Sequence, residues 1–291
     1  MIINGTAIAK DILNELKKEI SLLSGRKPCL AVILVGENPA SQIYVKKKAE
    51  ACRQIGIRSI EITLPSDTKE AQLLHNLDTM NKDLAVDGIL LQLPLPPQIN
   101  VSKALMHISP EKDVDGFHPL NAGKLLIGEQ DGFCPCTPLG IKVLLERSGI
   151  DITGKQLVIL GRSNLVGKPL AALLMQNHSG ANATVTVLHS RSENIIEICQ
   201  RADILIAAIG QPQFVKADMV KNGAVVIDVG INKIVNPSMK NGYQIVGDVD
   251  FAHVHKKCSF ISPVPGGVGP MTIAMLLSNT LKSYRQRMHS L

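Results

Sequence analysis

Apolar positions Ile8, Ile12, Leu16, Ile20 and Leu23 recur at the spacing of one helix face, and Gly25 supplies the stop. A continuous apolar run follows at 29–35 (CLAVILV), rich in β-branched residues, the pattern of a strand covered on both faces in a parallel sheet. Asn38-Pro39 reads as N-cap and first helical residue of a segment that runs to about residue 55 and stops at Gly56. A strand at 57–64, a helix at 69–82 and a strand at 86–93 continue the alternation of a β/α domain. Between 94 and 138 the pattern weakens, with one short helix at 101–107 among many Pro, Gly and Asp residues, and this stretch is expected to line a cleft. A helix at 138–147 opens a second series, with strands at 157–160, 185–188, 204–208 and 224–229 and helices between them. The last helical pattern, from 271 to about 285, lies beyond the last strand and is free to return to the first domain. The fold class is therefore α/β: two β/α domains flanking a cleft, 1–139 and 140–270, the second Rossmann-type with a mainly parallel sheet.

Composition sharpens this picture in a few places. A length of 291 residues fits two domains, and aromatics at 3% without tryptophan leave packing to Ile, Leu, Val and Ala. The net charge of +6 is spread among 25 acidic residues, and only Lys46-Lys47-Lys48 forms a basic run. With three tyrosines and five phenylalanines there is no basic and aromatic stacking surface, so a nucleic-acid partner is not expected and an anionic small molecule is. No apolar run reaches membrane-spanning length and the N-terminus lacks a leader pattern, which predicts a cytoplasmic protein with no membrane association. The six cysteines contain no CxxC pair and are expected to be reduced thiols, mostly buried, with no metal site.

The strongest single signal is 263–272 (PVPGGVGPMT), where six of ten residues are Gly or Pro just ahead of a helical pattern. Glycine lacks the Cβ that blocks close approach, so Pro265, Gly266 and Gly267 are candidates for contact with a ligand; a tight turn is the alternative. At 161–169 (GRSNLVGKP) a strand enters a small-residue turn and then a helix, an arrangement whose amides and dipole attract phosphate. Gly161, Arg162 and Ser163 are the candidate cofactor residues there, although Ser163 stands where the dinucleotide fingerprint has its second glycine and a plain β/α connection is the alternative. The next strand ends in His189-Ser190-Arg191-Ser192, without the carboxylate that holds ribose hydroxyls in NAD-preferring folds. Ser190 and Arg191 suit a 2′-phosphate and Arg162 could approach it from the first turn, which predicts NADP over NAD; a solvated basic loop is the other reading. At the end of the fourth strand of this half, Gly230 and Ile231 are placed to border the nicotinamide.

In the first half, Tyr44 and Lys48 stand four apart and so share a helix face. A partly desolvated lysine can move protons near neutral pH, but a solvated basic face is the ordinary outcome for such a helix. Gln92 interrupts an apolar strand just before a proline break, where a buried amide must find partners and could orient Lys48 or a ligand. Asp113 and Asp115 in DVDG offer carboxylates for paired N–H donors of a heterocycle, or simply form a turn.

Taken together, Tyr44-x-x-x-Lys48, LQLPLP with Gln92, DVDG with Asp115, PCTP at 135–138, GRSxxVGxP from Gly161 and PGGVGPMT from Pro265 resemble the bifunctional methylenetetrahydrofolate dehydrogenase/cyclohydrolase family over nearly the whole chain. The resemblance implies oxidation of 5,10-methylenetetrahydrofolate with NADP and hydrolysis of the methenyl product to 10-formyltetrahydrofolate. It implies Lys48 as the proton-handling residue of hydrolysis, Tyr44 packed on the folate, Gln92 orienting Lys48, Asp115 on the pterin, and the loop after Pro263 bordering the folate. For NADP it implies contacts from Gly161 to Ser163, Ser190 and Ile231, and it favours a homodimer. The alternatives are a single-activity NAD(P)-dependent dehydrogenase of related fold and a catalytically silent nucleotide-binding module.

Overall fold

The run CLAVILV forms β1 (Cys29–Val35), buried along its whole length, in the computed structural model of the protein, which describes residues 1–239 and 242–289. β1 is the middle strand of a three-stranded parallel sheet, flanked by β2 (Arg58–Leu64) and β3 (Gly88–Gln92). Helices α1 (Gly5–Ser21), α2 (Pro39–Ile55) and α3 (Glu70–Lys82) alternate with these strands. α2 starts where the sequence indicates: the Asn38 Oδ1 accepts from the Ser41 N–H at 3.1 Å, and Pro39 takes the first helical position. Ala31, Ile33 and Val35 on one face of β1 pack with Leu73 and Leu77 of α3 and with Ile89 and Leu91 of β3. Truncating Ile33, Leu73, Leu77, Ile89 or Leu91 to Ala would cost about 2–5 kcal/mol. With β2 and β3 on opposite flanks of β1, the strand order reverses at β1, and such a point opens a crevice at the carboxyl ends of the strands.

Two short helices follow, α4 (Val101–Met106) and α5 (Pro119–Ile127). The second lies in a stretch for which the sequence pattern predicts no helix. It is defined by its ends: His118 Nδ1 accepts from the Leu120 N–H at 3.1 Å, Pro119 takes the first turn, and Gly128 closes it at φ 85°.

The second sheet holds β4 (Gln156–Leu160), β5 (Thr184–Leu188), β6 (Ile204–Ala207), β7 (Val225–Asp228) and the two-residue β10 (Phe260–Ile261), in the order β10-β7-β6-β4-β5 with every pair parallel. Helices α6 (Cys136–Arg147), α7 (Gly167–Leu174), α8 (Ile195–Arg201) and the single-turn α9 (Phe251–Val254) accompany it. β8 (Asn232–Val235) and β9 (Tyr243–Val246) form an antiparallel hairpin that the sequence pattern does not predict. The chain ends in α10 (Val268–His289), three residues longer at its start than predicted because Gly269 and Pro270 fit within a first helical turn.

The chain divides into two compact units, one of Lys10–Cys136 with the chain from Ile273, the other of Met1–Ala9 with Thr137–Thr272. The first nine residues thus stand with the second half of the sequence rather than within 1–139. Their backbone explains it: Ile3 N–H donates to the Ile261 carbonyl at 2.8 Å and Ile261 N–H to the Met1 carbonyl at 3.0 Å, extending the sheet past β10. The later part of α10 is fixed in the Lys10–Cys136 unit by Ser283, whose hydroxyl donates to the carbonyls of Asp87 (2.6 Å) and Glu111 (2.8 Å), and by Tyr284, which donates to the Arg26 carbonyl at 2.9 Å.

Candidate functional site

In the Lys10–Cys136 unit, Tyr44 and Lys48 sit one turn apart on α2. Lys48 Nζ donates to Gln92 Oε1 at 3.0 Å. Gln92 is the last residue of β3, in register with Leu34 of β1, and its own Nε2 donates to the Leu93 carbonyl at 2.8 Å. That second bond fixes the amide so that its oxygen faces the lysine. The Leu93–Pro94 peptide that follows is cis. Tyr44 is 36% exposed.

The carboxylates of DVDG separate into different tasks. Asp113 is buried and accepts from the N–H groups of Phe117 (3.2 Å) and His118 (2.8 Å) and from Asn121 Nδ2 (2.8 Å), so it anchors its own loop. Burial pushes its carboxyl up to about 6 against those three donors. Asp115 lies within electrostatic reach of the lysine: burial raises its carboxyl above the ordinary value, while the Lys48 charge and the neighbouring Cys136 thiol oppose the rise. Gly116, at φ 74°, lets this loop lie on the next one, since a Cβ there would come within 2.6 Å of the Pro135 nitrogen. Lys48, Gln92, Asp115 and the Cys136 thiol therefore form one cluster at the carboxyl end of the first sheet. The thiol is inert, raised well above its ordinary value by burial and by Asp115. Cys136 lies within PCTP but its contact with Asp115 has no sequence signature, and neither does that of Asn279 on α10, whose Nδ2 donates to the Val114 carbonyl at 2.9 Å.

In the other unit, Gly161 follows β4 at φ 118°, and a Cβ on it would fall 2.2 Å from the Ala208 carbonyl oxygen. A Cβ on Gly167, the first residue of α7, would fall 2.0 Å from the Gly161 carbonyl oxygen. The helix start is thereby tucked directly under the end of β4, with β5 and β6 on either side of that strand. Ser163 Oγ accepts from the Val166 N–H at 3.1 Å and shapes the turn, while Arg162 and Ser163 are exposed. After the adjacent strand β5, His189 and Ser192 brace a turn through Ser192 Oγ, which accepts from the His189 N–H at 3.0 Å, and Ser190 and Arg191 project from its exposed tip. β4 and β5 are in register from Leu160 to Leu188, so Arg162 and Arg191 emerge at the same end of neighbouring strands. A turn of close-packed glycines, a helix start and guanidinium groups fits an anionic dinucleotide.

Ile231 is 53% exposed just beyond β7, and two buried carboxylates that sequence reasoning missed hold its surroundings. Asp228 accepts from the N–H groups of Asp248 (2.8 Å), Val249 (3.0 Å) and Gly230 (3.1 Å). Asp248 accepts from the N–H groups of Ile209 (2.7 Å) and Gly210 (2.9 Å) and from Asn232 Nδ2 (2.9 Å). Together they fasten the loops after β6 and β7. Burial pushes the Asp228 carboxyl up to about 7, opposed by its N–H partners.

The glycine loop belongs to the same unit. Val264–Pro265 is cis, Gly266 has φ 103°, and Gly267 is buried. The start of α1 holds it: the Thr6 N–H donates to the Gly266 carbonyl at 3.0 Å, and a Cβ on Gly5 would fall 2.0 Å from the Gly267 carbonyl oxygen. Among the described residues no helix is long and apolar enough to cross a membrane.

Residues 3–115 match the family model for the tetrahydrofolate dehydrogenase/cyclohydrolase catalytic domain, and residues 135–288 match that for the tetrahydrofolate dehydrogenase/cyclohydrolase NAD(P)-binding domain. The bifunctional protein FolD of Protochlamydia amoebophila is 61% identical over 284 residues, covering 98% of this chain and 97% of its own length. Among solved structures, the bifunctional FolD methylenetetrahydrofolate dehydrogenase/cyclohydrolase of Campylobacter jejuni superposes with a TM-score of 0.92 at 48% identity, over 99% of both chains. The Trypanosoma brucei FolD, solved with NADP cofactor and an inhibitor, superposes with a TM-score of 0.93 at 41% identity, over 99% of this chain and 98% of that one. With both domain models matched in order and full-length relatives above half identity, the chain belongs to the tetrahydrofolate dehydrogenase/cyclohydrolase family.

Proposed function

We propose that this chain oxidises 5,10-methylenetetrahydrofolate to 5,10-methenyltetrahydrofolate with NADP and then hydrolyses the product to 10-formyltetrahydrofolate, in one-carbon metabolism. The observation that carries this reading is the cluster of Lys48, held by Gln92 and within electrostatic reach of Asp115, at the carboxyl end of the first sheet. Bound NADP supplies the hydride acceptor. Oxidation asks little acid–base work of the side chains, because the folate nitrogen's lone pair drives the hydride out; the residues need only hold the methylene carbon in place.

Hydrolysis asks for more. Water adds to the methenyl carbon and loses one proton to solvent; the resulting hydroxyl then gives up its remaining proton and becomes the formyl carbonyl as the bond from that carbon to one folate nitrogen breaks and that nitrogen takes up a proton. Lys48 Nζ is the group that moves these protons, and Gln92 holds it in place. Asp115 recognises adjacent N–H donors of the pterin, and Tyr44 packs on the ring system. Pro265, Gly266 and Gly267 border the folate with bare backbone. On the cofactor, the turn Gly161 to Ser163 receives the pyrophosphate, Arg162, Ser190 and Arg191 receive the 2′-phosphate, and Ile231 lies along the nicotinamide. The protein is cytoplasmic and works as a homodimer.

Replacing the lysine tests this division. Lys48→Met keeps an unbranched side chain without the ammonium and is expected to lower cyclohydrolase turnover by about 10²–10⁴-fold while dehydrogenase activity persists. Cyclohydrolase activity at the wild-type rate in that variant would overturn the role of Lys48.

A further inference from the structure

Asn279 is a buried amide, 3% exposed, among the apolar residues Met275, Leu276, Leu277 and Leu281 of α10. A lone amide in such a place must be satisfied, and this one is satisfied by two loops at once. Its Nδ2 donates to the Val114 carbonyl at 2.9 Å and to the Cys134 carbonyl at 3.0 Å, and it lies 3.8 Å from Cys136 Sγ. Val114 immediately precedes Asp115. The Cys136 thiol donates to the same Val114 carbonyl at 3.3 Å and lies beside Asp115. Gly116 completes the contact, because only a residue without Cβ lets the DVDG loop rest on Cys134 and Pro135.

We propose that Asn279 is a positioning residue for folate recognition: its amide clasps the Val114 and Cys134 carbonyls and thereby fixes the backbone that carries the Asp115 carboxylate. The inference rests on the reading above that Asp115 contacts the folate. The two N–H bonds of one planar amide diverge at a fixed angle, so they set the separation of the two carbonyls as well as satisfying them. Aspartate would turn acceptors toward acceptors, alanine would leave both carbonyls without this donor, and serine would keep one donor. Attachment of α10 to its unit does not depend on this residue alone, since Ser283 and Tyr284 make three further hydrogen bonds to backbone carbonyls.

The test compares Asn279→Ala, Asn279→Ser, Asp115→Ala, the Asn279→Ala/Asp115→Ala double variant and Ser283→Ala in the full-length protein. It measures KM for methylenetetrahydrofolate and for methenyltetrahydrofolate, kcat, the Kd for NADP and the melting temperature. Asn279→Ala is expected to raise both folate KM values roughly tenfold, a coupling typical of residues in one network, with kcat and NADP affinity little changed. Asn279→Ser should fall between it and the wild type, and it carries the test if the alanine variant does not fold. In the Asp115→Ala background, Asn279→Ala should add almost nothing further to KM. Ser283→Ala should lower the melting temperature without moving KM. Unchanged KM in the Asn279 variants, full additivity with Asp115→Ala, or an equal KM rise in Ser283→Ala would overturn the inference and leave Asp115 in place. Unchanged KM in Asp115→Ala would instead remove the reading of Asp115 itself, and the inference with it.

Discussion

Lys48 meets one fixed acceptor, Gln92 Oε1, and Gln92 in turn is locked by its bond to the Leu93 carbonyl. This chain of two hydrogen bonds was legible in outline, because four-residue spacing on a helix and a single amide in an apolar strand are patterns of residue type. Residue type alone did not divide Asp113 from Asp115, since both are aspartates in DVDG; the family resemblance singled out Asp115, and the hydrogen bonds of Asp113 show it as the anchor of its own loop. Asp228 and Asp248 were invisible for the same reason: their work is done on backbone N–H groups, which every sequence offers equally. Burial of Asp228 has a measurable consequence. A carboxyl raised from 3.8 to about 7 binds more protons folded than unfolded in that interval. Its contribution to stability is therefore fully present below 3.8 and is lost as the pH rises through about 7. Asp113, raised to about 6, acts in the same direction over a narrower window. The melting temperature of Asp228→Asn should fall less steeply from pH 5 to pH 7.5 than that of the wild type, and parallel curves would show that Asp228 is not the titrating group.

Elements with a strong internal signal emerged as expected. β1 coincides with its apolar run, and α2 begins at the Asn38 cap and Pro39. Elements defined by their ends or by distant partners did not. α5 is set by His118, Pro119 and Gly128 rather than by periodicity, β10 is two residues long and pairs with β7, and the β8–β9 hairpin has strands of four residues each. The start of α1 is the instructive case, because its first turn serves the glycine loop through contacts some 260 residues away in sequence. Gly5 would ordinarily be a poor helix residue, less favourable than Ala by roughly 0.5–1 kcal/mol in a helix interior. Here a Cβ would collide with the Gly267 carbonyl. Gly5→Ala should therefore lower the melting temperature and raise the KM for methylenetetrahydrofolate by displacing the loop. A higher melting temperature with unchanged KM would show that the close approach has no functional weight.

Each of the two units holds a parallel sheet with its candidate residues at the carboxyl ends of the strands, Gln92 at the end of β3 in one and Gly161, Ser190 and Ile231 after β4, β5 and β7 in the other. That much followed from alternating strands and helices, which admit few topologies. Residues 1–9 join the later half by backbone pairing, which sequence order does not predict, whereas α10 supplies Asn279, Ser283 and Tyr284 to the earlier unit, the return that its place beyond the last strand allows. The central claim is that one chain carries both an NADP-dependent oxidation and a hydrolysis. The most direct test is an absorbance assay on the purified wild-type protein, with 5,10-methylenetetrahydrofolate and either NADP or NAD, followed by decay of added methenyltetrahydrofolate. Faster reduction of NADP than of NAD, together with accelerated methenyl decay, is the predicted result; oxidation without accelerated decay, or neither activity, would contradict it.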